Sequence, residues 1–461
     1  MHSVIPDTHR LFILFTTVLT VFLFAVIASA APLSTVAAFG AVGDGETDDT
    51  EAIQRAVDAG AGILVFGRGA YRITEPIVIS LERHGYMSVS GASGATQLIM
   101  DGPGPALHVV GTHGGTANPL SVQPAVWDRE RLPVIRDLEI LGRHDESEGV
   151  RLERTMQAVI TRVLVRNCLH GIRLVDRNRN LIVSDSHLYE NRETGIFFDN
   201  VNLHQVNIVG NHISYSGGAG ICVRDGEIRN IQITGNDIEY NHHAPEDAAD
   251  ILFDTREGTL REFTITGNTI QAVTSENGAN IRILGAPADH ADQSGLGAIT
   301  GNLIGSQMIN IDLQHTRGVT VSGNSIYSAG ALSIRARHCH NLTVSGNTVD
   351  YNPGSEDRMR DGFLFASCNG VVVTGNTLVD CRAGDETRGG AISVWDSSNA
   401  LIGNNVIIDP THRGVDVRGS AYCQIMGNIV NDTREEPIMI EAIAVDDASN
   451  EVAHGNNLVS E

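Results

Sequence analysis

Lysine is absent from this sequence of 461 residues, and all 32 of its basic residues are arginines. A lysine Schiff base, a phosphate-binding P-loop and a lysine proton acceptor are therefore excluded. The formal net charge is −23. This balance disfavours nucleic acid and anionic membranes as partners, since both bind clustered Lys and Arg.

Cysteine is scarce, with six residues at positions 168, 222, 339, 368, 381 and 423. They are too few for a disulfide-stabilised scaffold, and none shows the C-x-x-C spacing of a metal site. Cys339 and Cys368 each lie three residues before the first apolar residue of a predicted strand, so they should stack on neighbouring coils. Either one disulfide or a pair of free thiols fits this position.

Long apolar runs are missing after the first 30 residues. Residues 11–30 carry no charge and end in Ala28-Ser29-Ala30, which is typical of a secretory signal with its cleavage site. The run is also long enough to span a bilayer, so an uncleaved anchor is the alternative. We predict that residues 1–30 are a signal peptide and that the protein is secreted or periplasmic.

A Gly-Asn pair recurs along the chain, each time after an apolar-x-apolar segment. The clear copies span residues 206–211, 231–236, 263–268, 298–302, 319–324, 342–347, 371–376, 401–404 and 425–428, with a last pair at Gly455-Asn456. Each repeat holds two short alternating strands, which indicates a parallel β-helix of about twelve coils. We interpret the pairs as structural: glycine forms a left-handed corner and the stacked Asn side chains bond to one another.

The N-terminal part of the mature chain differs from these repeats. Residues 50–59 have helical composition, with Asp48 and Asp49 at the N-cap, and the predicted helix would cover the open first coil. We assign residues 31–461 to a single β-helix, with the cap and irregular first coils at 36–133 and the regular coils at 134–461.

The segment from Phe39 to Ile73 resembles a known superfamily. Its matching residues are Phe39-Gly40-Ala41-Val42-Gly43-Asp44-Gly45, Thr47-Asp48-Asp49-Thr50, Ala52-Ile53-Gln54 and Gly69-Ala70-Tyr71-Arg72-Ile73. This opening resembles the rhamnogalacturonase/epimerase-like branch of the pectate-lyase-like superfamily. The resemblance implies an all-β fold, a single-stranded right-handed parallel β-helix with an N-terminal capping helix.

The resemblance does not imply one chemistry, because that superfamily contains lyases, glycoside hydrolases, epimerases and non-catalytic fibres. The N-T-D, G-H-G and R-I-K motifs of polygalacturonase-type hydrolases are absent here, and so are the D-P-H motif and catalytic lysine of alginate epimerases. Only the fold is carried over, and no catalytic residue.

Outward side chains of the second strand should form columns along the helix axis. We place Arg335 in the column of Asp199, Arg224 and Asp254, and Asp312 beside Arg282 in the next one. Catalytic roles are predicted for Asp199, Asp254, Arg224, Arg282 and Asp312. Substrate-binding roles are predicted for Asp250, Asn280, Asn310, Arg335, His242 and Trp395. The metal ligands, if there are any, are unknown.

Two mechanisms fit these columns. For hydrolysis, Asp199 and Asp254 would lie two coils apart, and tilted side chains would match the carboxylate spacing of inverting glycosidases. For β-elimination on a uronic acid, acidic residues would hold Ca²⁺ against the sugar, and Arg224 or Arg282 would take the proton. Otherwise no cofactor is expected.

The same residues also fit a purely structural role, since Asp and Arg on stacked strands form cross-strand ion pairs. We predict an exported enzyme that cleaves or modifies a polysaccharide along the second-strand face, with lyase or hydrolase chemistry ahead of epimerisation. The alternative is a non-catalytic glycan-binding surface protein. The sequence does not identify the glycan or the oligomeric state.

Overall fold

A computed structural model describes residues 35–116, 118–241, 249–287, 294–354 and 360–460. Across these ranges the chain winds into a right-handed parallel β-helix, as predicted. Strands pair with their equivalents one coil away, so that Asp199 lies beside Arg224 and Arg224 beside Asp254. Residues far apart in sequence therefore become neighbours along the axis. The predicted signal peptide lies outside the described residues.

One flank of the β-helix is a sheet of 14 parallel strands, here called sheet II. The sequence predicted about twelve coils, and the early coils add strands where the Gly-Asn pair is missing. The strands are Ile77–Ser80, Gly104–Val110, Ser147–Glu153, His170–Val175, Thr194–Asp199, Ala219–Arg224, Ala249–Thr255, Ala279–Gly285, Ile309–Gln314, Leu332–Arg337, Phe363–Ala366, Ile392–Trp395, Arg413–Arg418 and Glu441–Val445.

The remaining flanks form one continuous sheet of 29 strands, here called sheet I. The strands that follow those of sheet II, together with the early ones, are Asp44–Asp48, Ile63–Val65, Gly69–Ile73, Ser88–Ser90, Thr96–Met100, Val134–Gly142, Val159–Arg166, Arg177–Ser184, Asn202–Val209, Glu227–Thr234, Thr259–Thr266, Ser294–Thr300, Thr316–Ser322, His340–Ser345, Asn369–Thr374, Ser398–Gly403, Ala421–Met426 and Asn450–Gly455. The short strands beyond the Gly-Asn corner are His187–Tyr189, His212–Ser214, Asp237–Glu239, Thr269–Gln271, Leu303–Gly305, Ser325–Tyr327, Thr348–Asp350, Thr377–Val379, Val406–Ile408, Ile429–Asn431 and Leu458–Val459.

The Gly-Asn corners carry a ladder of buried asparagines. At each step the backbone N–H and the side-chain Nδ2 of one Asn donate to Oδ1 of the next, at 2.9 to 3.0 Å. The members are Asn211, Asn236, Asn268, Asn302, Asn324, Asn347, Asn376, Asn405, Asn428 and Asn457. The structural interpretation of these pairs is therefore confirmed.

At two of these corners the asparagine predicted to join the ladder was the wrong one. Asn404 and Asn456, assigned from the Gly-Asn pattern, adopt the left-handed conformation that glycine has elsewhere, with φ of 57° and 54°. The residues that follow them, Asn405 and Asn457, join the ladder instead. An Asn-Asn pair supplies both functions because Asn tolerates positive φ.

The predicted N-terminal helix is present at Thr50–Asp58. Its residues Ile53 and Val57 are fully buried in the same apolar cluster as the first coils. Asp49 occupies the N-cap, but its carboxylate accepts hydrogen bonds from the backbone N–H of Val42 and Gly43 and not from the helix. This pairing ties the preceding loop to the helix start. A role for the helix in blocking edge pairing stays a prediction.

Other helical segments are short, and the core is continuous. The segments are Val36–Phe39, Leu81–His84, Ser93–Ala95, Pro119–Ser121 and Val126–Glu130. One buried apolar cluster extends from Val36 to Val430. All six cysteines are buried and free, so Cys339 and Cys368 are stacked thiols. None of the helices in the described ranges combines the length and hydropathy needed to span a membrane.

Candidate functional site

The outer face of sheet II brings three predicted catalytic residues together. Asp199 and Arg224 are register partners, as are Arg224 and Asp254. The two aspartates are thus two coils apart, with backbones about 9 to 10 Å from each other. Period-2 alternation directs these side chains outward, because their neighbours Phe198, Val223 and Phe253 are fully buried in the core.

The ion pairs on this face differ from the predicted ladder of Asp199, Arg224 and Asp254. The carboxylate of Asp199 accepts from Nε and Nη2 of Arg173 on the preceding coil. Asp254 is held by Arg256, whose Nε and Nη2 lie 2.8 and 2.6 Å from its two oxygens. Among the described residues Arg224 forms no ion pair, and its guanidinium lies 5.7 Å from the centre of the Phe197 ring.

Further charged residues extend the face toward the N-terminus. Arg173 also donates to Glu148 at 2.7 Å, and Glu148 accepts two hydrogen bonds from Arg151. Although burial raises the pKa of Glu148, its hydrogen bonds and charge interactions with both arginines hold it below the ordinary value. We did not select Arg173 or Glu148 from the sequence. Arg151 and Arg173 were nevertheless visible as successive members of the outward column beside Asp199.

His170 is a buried histidine that packs against Phe197 next to this network. Its ring packs 4.7 Å from the ring of Phe197, and its Nδ1 is buried without a hydrogen-bond partner. Burial lowers the pKa of His170 to about 4, which outweighs the attraction of Glu148. The imidazole is therefore neutral at physiological pH, and it packs against the ring of Phe197.

Arg282 and Asp312 are buried, contrary to the expectation that they face a substrate. Their side chains are 2% and 1% exposed and pair directly at 2.9 Å. Arg282 also donates to the backbone oxygen of Asn277. Arg335 belongs to the Asp312 column and not to that of Asp199, because it is the register partner of Asp312 and donates to both its oxygens.

Asp250, Asn280 and Asn310 face the interior and are fully buried, so the substrate-binding role predicted for them is corrected. Nδ2 of Asn310 donates to Asn280, and Nδ2 of Asn280 donates to Asp250. The other oxygen of Asp250 accepts from the backbone and side chain of Asn241. Burial raises the pKa of Asp250 well above its ordinary value. These residues form a second internal polar ladder.

Trp395 does not join the site. Trp395 donates from Nε1 to Asp416 at 3.0 Å, and the guanidinium of Arg388 lies 5.1 Å from the centre of its ring. Arg388 therefore occupies one face of the partly exposed ring, which lies several coils from Asp254. His242 lies outside the described residues.

A calcium site is expected only if the reaction is an elimination. Across the described ranges no group of three or more His, Cys, Asp and Glu side chains is arranged to hold a metal ion. On the face itself Asp199 and Asp254 each engage an arginine. The donor set of this face is a poor fit for Ca²⁺, which prefers several free oxygen ligands.

Two sequence families match this chain. The model of the "Right handed beta helix region" family matches residues 133–238, 249–385 and 307–461. The model described as "Rhamnogalacturonase A/epimerase, pectate lyase-like" matches residues 34–102. No curated protein sequence matches the chain.

Solved structures that are similar to this chain have low sequence identity to it. The Dettilon tailspike protein (gp208) is 16% identical, and the match covers 80% of this chain and 66% of that one with a TM-score of 0.51. The Agl-KA catalytic domain is 13% identical, with coverage of 94% and 69% and a TM-score of 0.52. The A-module of Azotobacter vinelandii mannuronan C-5 epimerase AlgE6 is 16% identical, with coverage of 93% and 99% and a TM-score of 0.48.

Proposed function

The chain belongs to the right-handed β-helix family of the pectate-lyase-like superfamily, and from this premise we propose that it is an exported enzyme acting on a polysaccharide. The glycan would lie along the outer face of sheet II, over Asp199, Arg224 and Asp254. The observation that carries the proposal is the open guanidinium of Arg224, set between two carboxylates on a rigid sheet. The net charge of −23 disfavours nucleic acid as the partner.

The contacts on this face favour elimination over hydrolysis. In an inverting hydrolase both carboxyl groups must reach the scissile bond and its water, one as acid and one as base. Here Arg173 holds Asp199 and Arg256 holds Asp254. The exposed guanidinium of Arg224 lies between them and is available to a sugar carboxylate, which elimination on a uronic acid requires.

The proposed reaction is a β-elimination within a uronic acid polymer. Arg224 would bind the sugar carboxylate, since guanidinium groups hold carboxylates through paired hydrogen bonds. Asp199 or Asp254 would take the C5 proton. The electron pair of that C–H bond forms the C4–C5 double bond, and the C4–oxygen bond breaks. The departing oxygen takes a proton from water.

The test is turnover on a panel of polygalacturonate, alginate, ulvan and carrageenan, with and without Ca²⁺. Ultraviolet absorbance reports the unsaturated product, and reducing ends report every cleavage. We expect both signals to rise together on at least one uronic acid polymer. Replacing the proton acceptor, by Asp199→Asn or Asp254→Asn, should lower the rate about 100-fold or more.

Asp137→Asn is the matched control for Asp254→Asn. Both aspartates are 15% exposed and bound by an arginine, but Asp137 pairs with Arg162 on sheet I. This control should leave turnover unchanged. Reducing ends that form without ultraviolet absorbance would indicate hydrolysis and contradict elimination. No product on any polymer would overturn the enzyme proposal and leave the non-catalytic glycan-binding alternative, which retention of the same polymers in affinity gels would test.

A further inference from the structure

A second concave surface lies on sheet I, separate from the face of Asp199. It is a cleft of about 540 Å³ where the strands Arg177–Ser184, Asn202–Val209 and Glu227–Thr234 begin. The charged residues that line it are Arg177, Arg179, Arg229, Glu227 and Glu262. Three arginines against two glutamates make this cleft cationic in a protein whose net charge is −23.

The arginines belong to a basic column that follows the helix axis. Arg179, His204, Arg229 and Arg261 occupy the same outward position on four successive coils. After Gly295 the column continues with Arg317 and His340. Arg229 and Arg261 are like charges on adjacent strands, about 4.8 Å apart, and they repel one another although Glu227 contacts Arg229 at 2.9 Å. An extended anion placed along the column would relieve this repulsion.

Two arginines of the cleft lack a carboxylate partner among the described residues. Arg179 donates to the backbone oxygen of Thr116 and the side-chain oxygen of Asn180, which are both neutral. Nε of Arg177 is buried without an acceptor, and Oδ1 of its register neighbour Asn202 is buried without a donor. Positive charge and unused hydrogen-bonding capacity thus coincide here.

An amide-lined extension continues the cleft. An adjoining cavity of about 270 Å³ shares Gln205 and Asn230 with it, and adds Asn180, Asn207 and Gln232. Primary amides both donate and accept hydrogen bonds, which suits the hydroxyl groups of a sugar. Burial and the nearby Arg229 lower the pKa of His204, so its neutral ring adds one donor and one acceptor.

We propose that these two cavities, together called the arginine groove, bind a segment of an acidic polysaccharide apart from the site on sheet II. The carboxylate or sulfate groups of the glycan would contact Arg177, Arg179 and Arg229, and its hydroxyls would contact the amides. A nucleic acid would supply the same charge. Among the described residues of the lining, however, His204 is the one ring, so the aromatic stacking surfaces typical of single-strand binding are missing there.

The experiment measures binding of the full chain carrying Asp199→Asn, so that polymer probes stay intact. Oligogalacturonate provides carboxylates, a carrageenan oligosaccharide provides sulfates and a maltooligosaccharide of equal length provides neither. Calorimetric titration should show binding of at least one acidic probe, with Arg177→Gln/Arg179→Gln weakening it about tenfold or more. Raising the salt concentration should also weaken it, because the contacts are partly exposed charges.

Arg83→Gln/Arg162→Gln is the matched control, since it removes the same charge from side chains that are 66% and 53% exposed outside the groove. It should change affinity less than twofold, within the range of a long-range charge effect. If both double variants weaken glycan binding equally, the attraction is a general electrostatic one and the proposed binding site in the groove is wrong. Equally tight binding of a single-stranded DNA oligonucleotide would overturn the assignment to glycans.

Gln205→Ala separates recognition of sugar from attraction of charge. Gln205 lines both cavities, so its loss should weaken the glycan probes and leave the binding of inorganic polyphosphate unchanged. The outcome is independent of the proposed enzyme. If no turnover is found, weaker glycan binding by Arg177→Gln/Arg179→Gln still supports the arginine groove. If that variant binds with unchanged affinity, the groove is wrong, even if the protein is an active enzyme.

Discussion

Two stretches of the outer face of sheet II carry the same kinds of charged residue but differ in how far these residues are exposed to solvent. In the open stretch, residues 194–256, the side chain of Asp199 is 27% exposed. In the closed stretch, residues 279–337, that of Asp312 is 1% exposed. Both aspartates bind arginines, and both stretches were predicted to be catalytic. Asp199 and Arg224 of the open stretch are within reach of a large substrate, whereas Arg282 and Asp312 of the closed stretch are not.

The difference arises from what surrounds each position and not from the position itself. Arg282 shares its column with Cys222 and Leu252, which belong to an apolar cluster on the outer side of the sheet. The backbone oxygen of Asn277 closes over its guanidinium. An outward column therefore directs a side chain away from the core, but the neighbouring loops and side chains decide whether it meets solvent.

The largest expected effect is on stability in the closed stretch. Asp312→Ala removes a buried carboxylate that Arg282 and Arg335 both contact, and removing one partner of a buried pair costs about 3 to 5 kcal/mol. Asp199→Ala breaks a partly exposed pair and should cost about 1 kcal/mol or less. Urea unfolding of both variants measures the difference. Equal costs would mean that the two stretches do not differ in the way their burial indicates.

A second contrast concerns two buried carboxylates near the closed stretch. Arg335 and Arg282 hold the pKa of Asp312 below its ordinary value despite burial, so its stabilisation is lost as pH falls through the folded pKa. Asp361 has hydrogen bonds from Ala329 and Ser333 instead, and burial raises its pKa to about 6. Its folded state keeps a proton that the unfolded chain releases.

Stability contributed by Asp361 should therefore fall as pH rises from about 4 to about 6, by about 3 kcal/mol in total. Asp361→Asn keeps the acceptor oxygen and removes the titration. Urea unfolding at several pH values should give a difference between wild type and variant that changes with pH and levels off above about 7. A constant difference would contradict the raised pKa.

Period-2 alternation and repeat spacing were enough to predict the β-helix, the asparagine ladder and the common flank of Asp199, Arg224 and Asp254. These features depend on local pattern alone. The register of Arg335 was wrong because loop length differs between coils, so counting from one Gly-Asn pair does not fix the next strand. Ala249 belongs to the outer apolar cluster while Asp250 and Ile251 are both buried inside, and no local pattern signals that irregularity.

The ion-pair partner of Asp199 was the other feature that the sequence could not predict. Adjacent coils offered Asp199 either Arg173 or Arg224, and alternation permits both. The structure places Arg224 against Phe197, which leaves Asp199 to Arg173. The arginine groove was missed although Arg179, His204 and Arg229 each stand two residues before the first apolar residue of a repeat. That recurring offset was a usable signal.

The smallest expected effect compares two arginines of sheet II. Arg224→Gln removes an exposed guanidinium packed on Phe197, a contact worth about 0.5 to 1 kcal/mol. Arg282→Gln removes one of the two guanidinium groups that contact buried Asp312, Arg335 being the other, and should cost several times more. Thermal unfolding measures both losses of stability. Turnover should fall in folded Arg224→Gln protein and not in folded Arg282→Gln protein. A larger loss of stability in Arg224→Gln than in Arg282→Gln would reverse the assignment of the open and closed stretches, since the exposed arginine would then be the structural one.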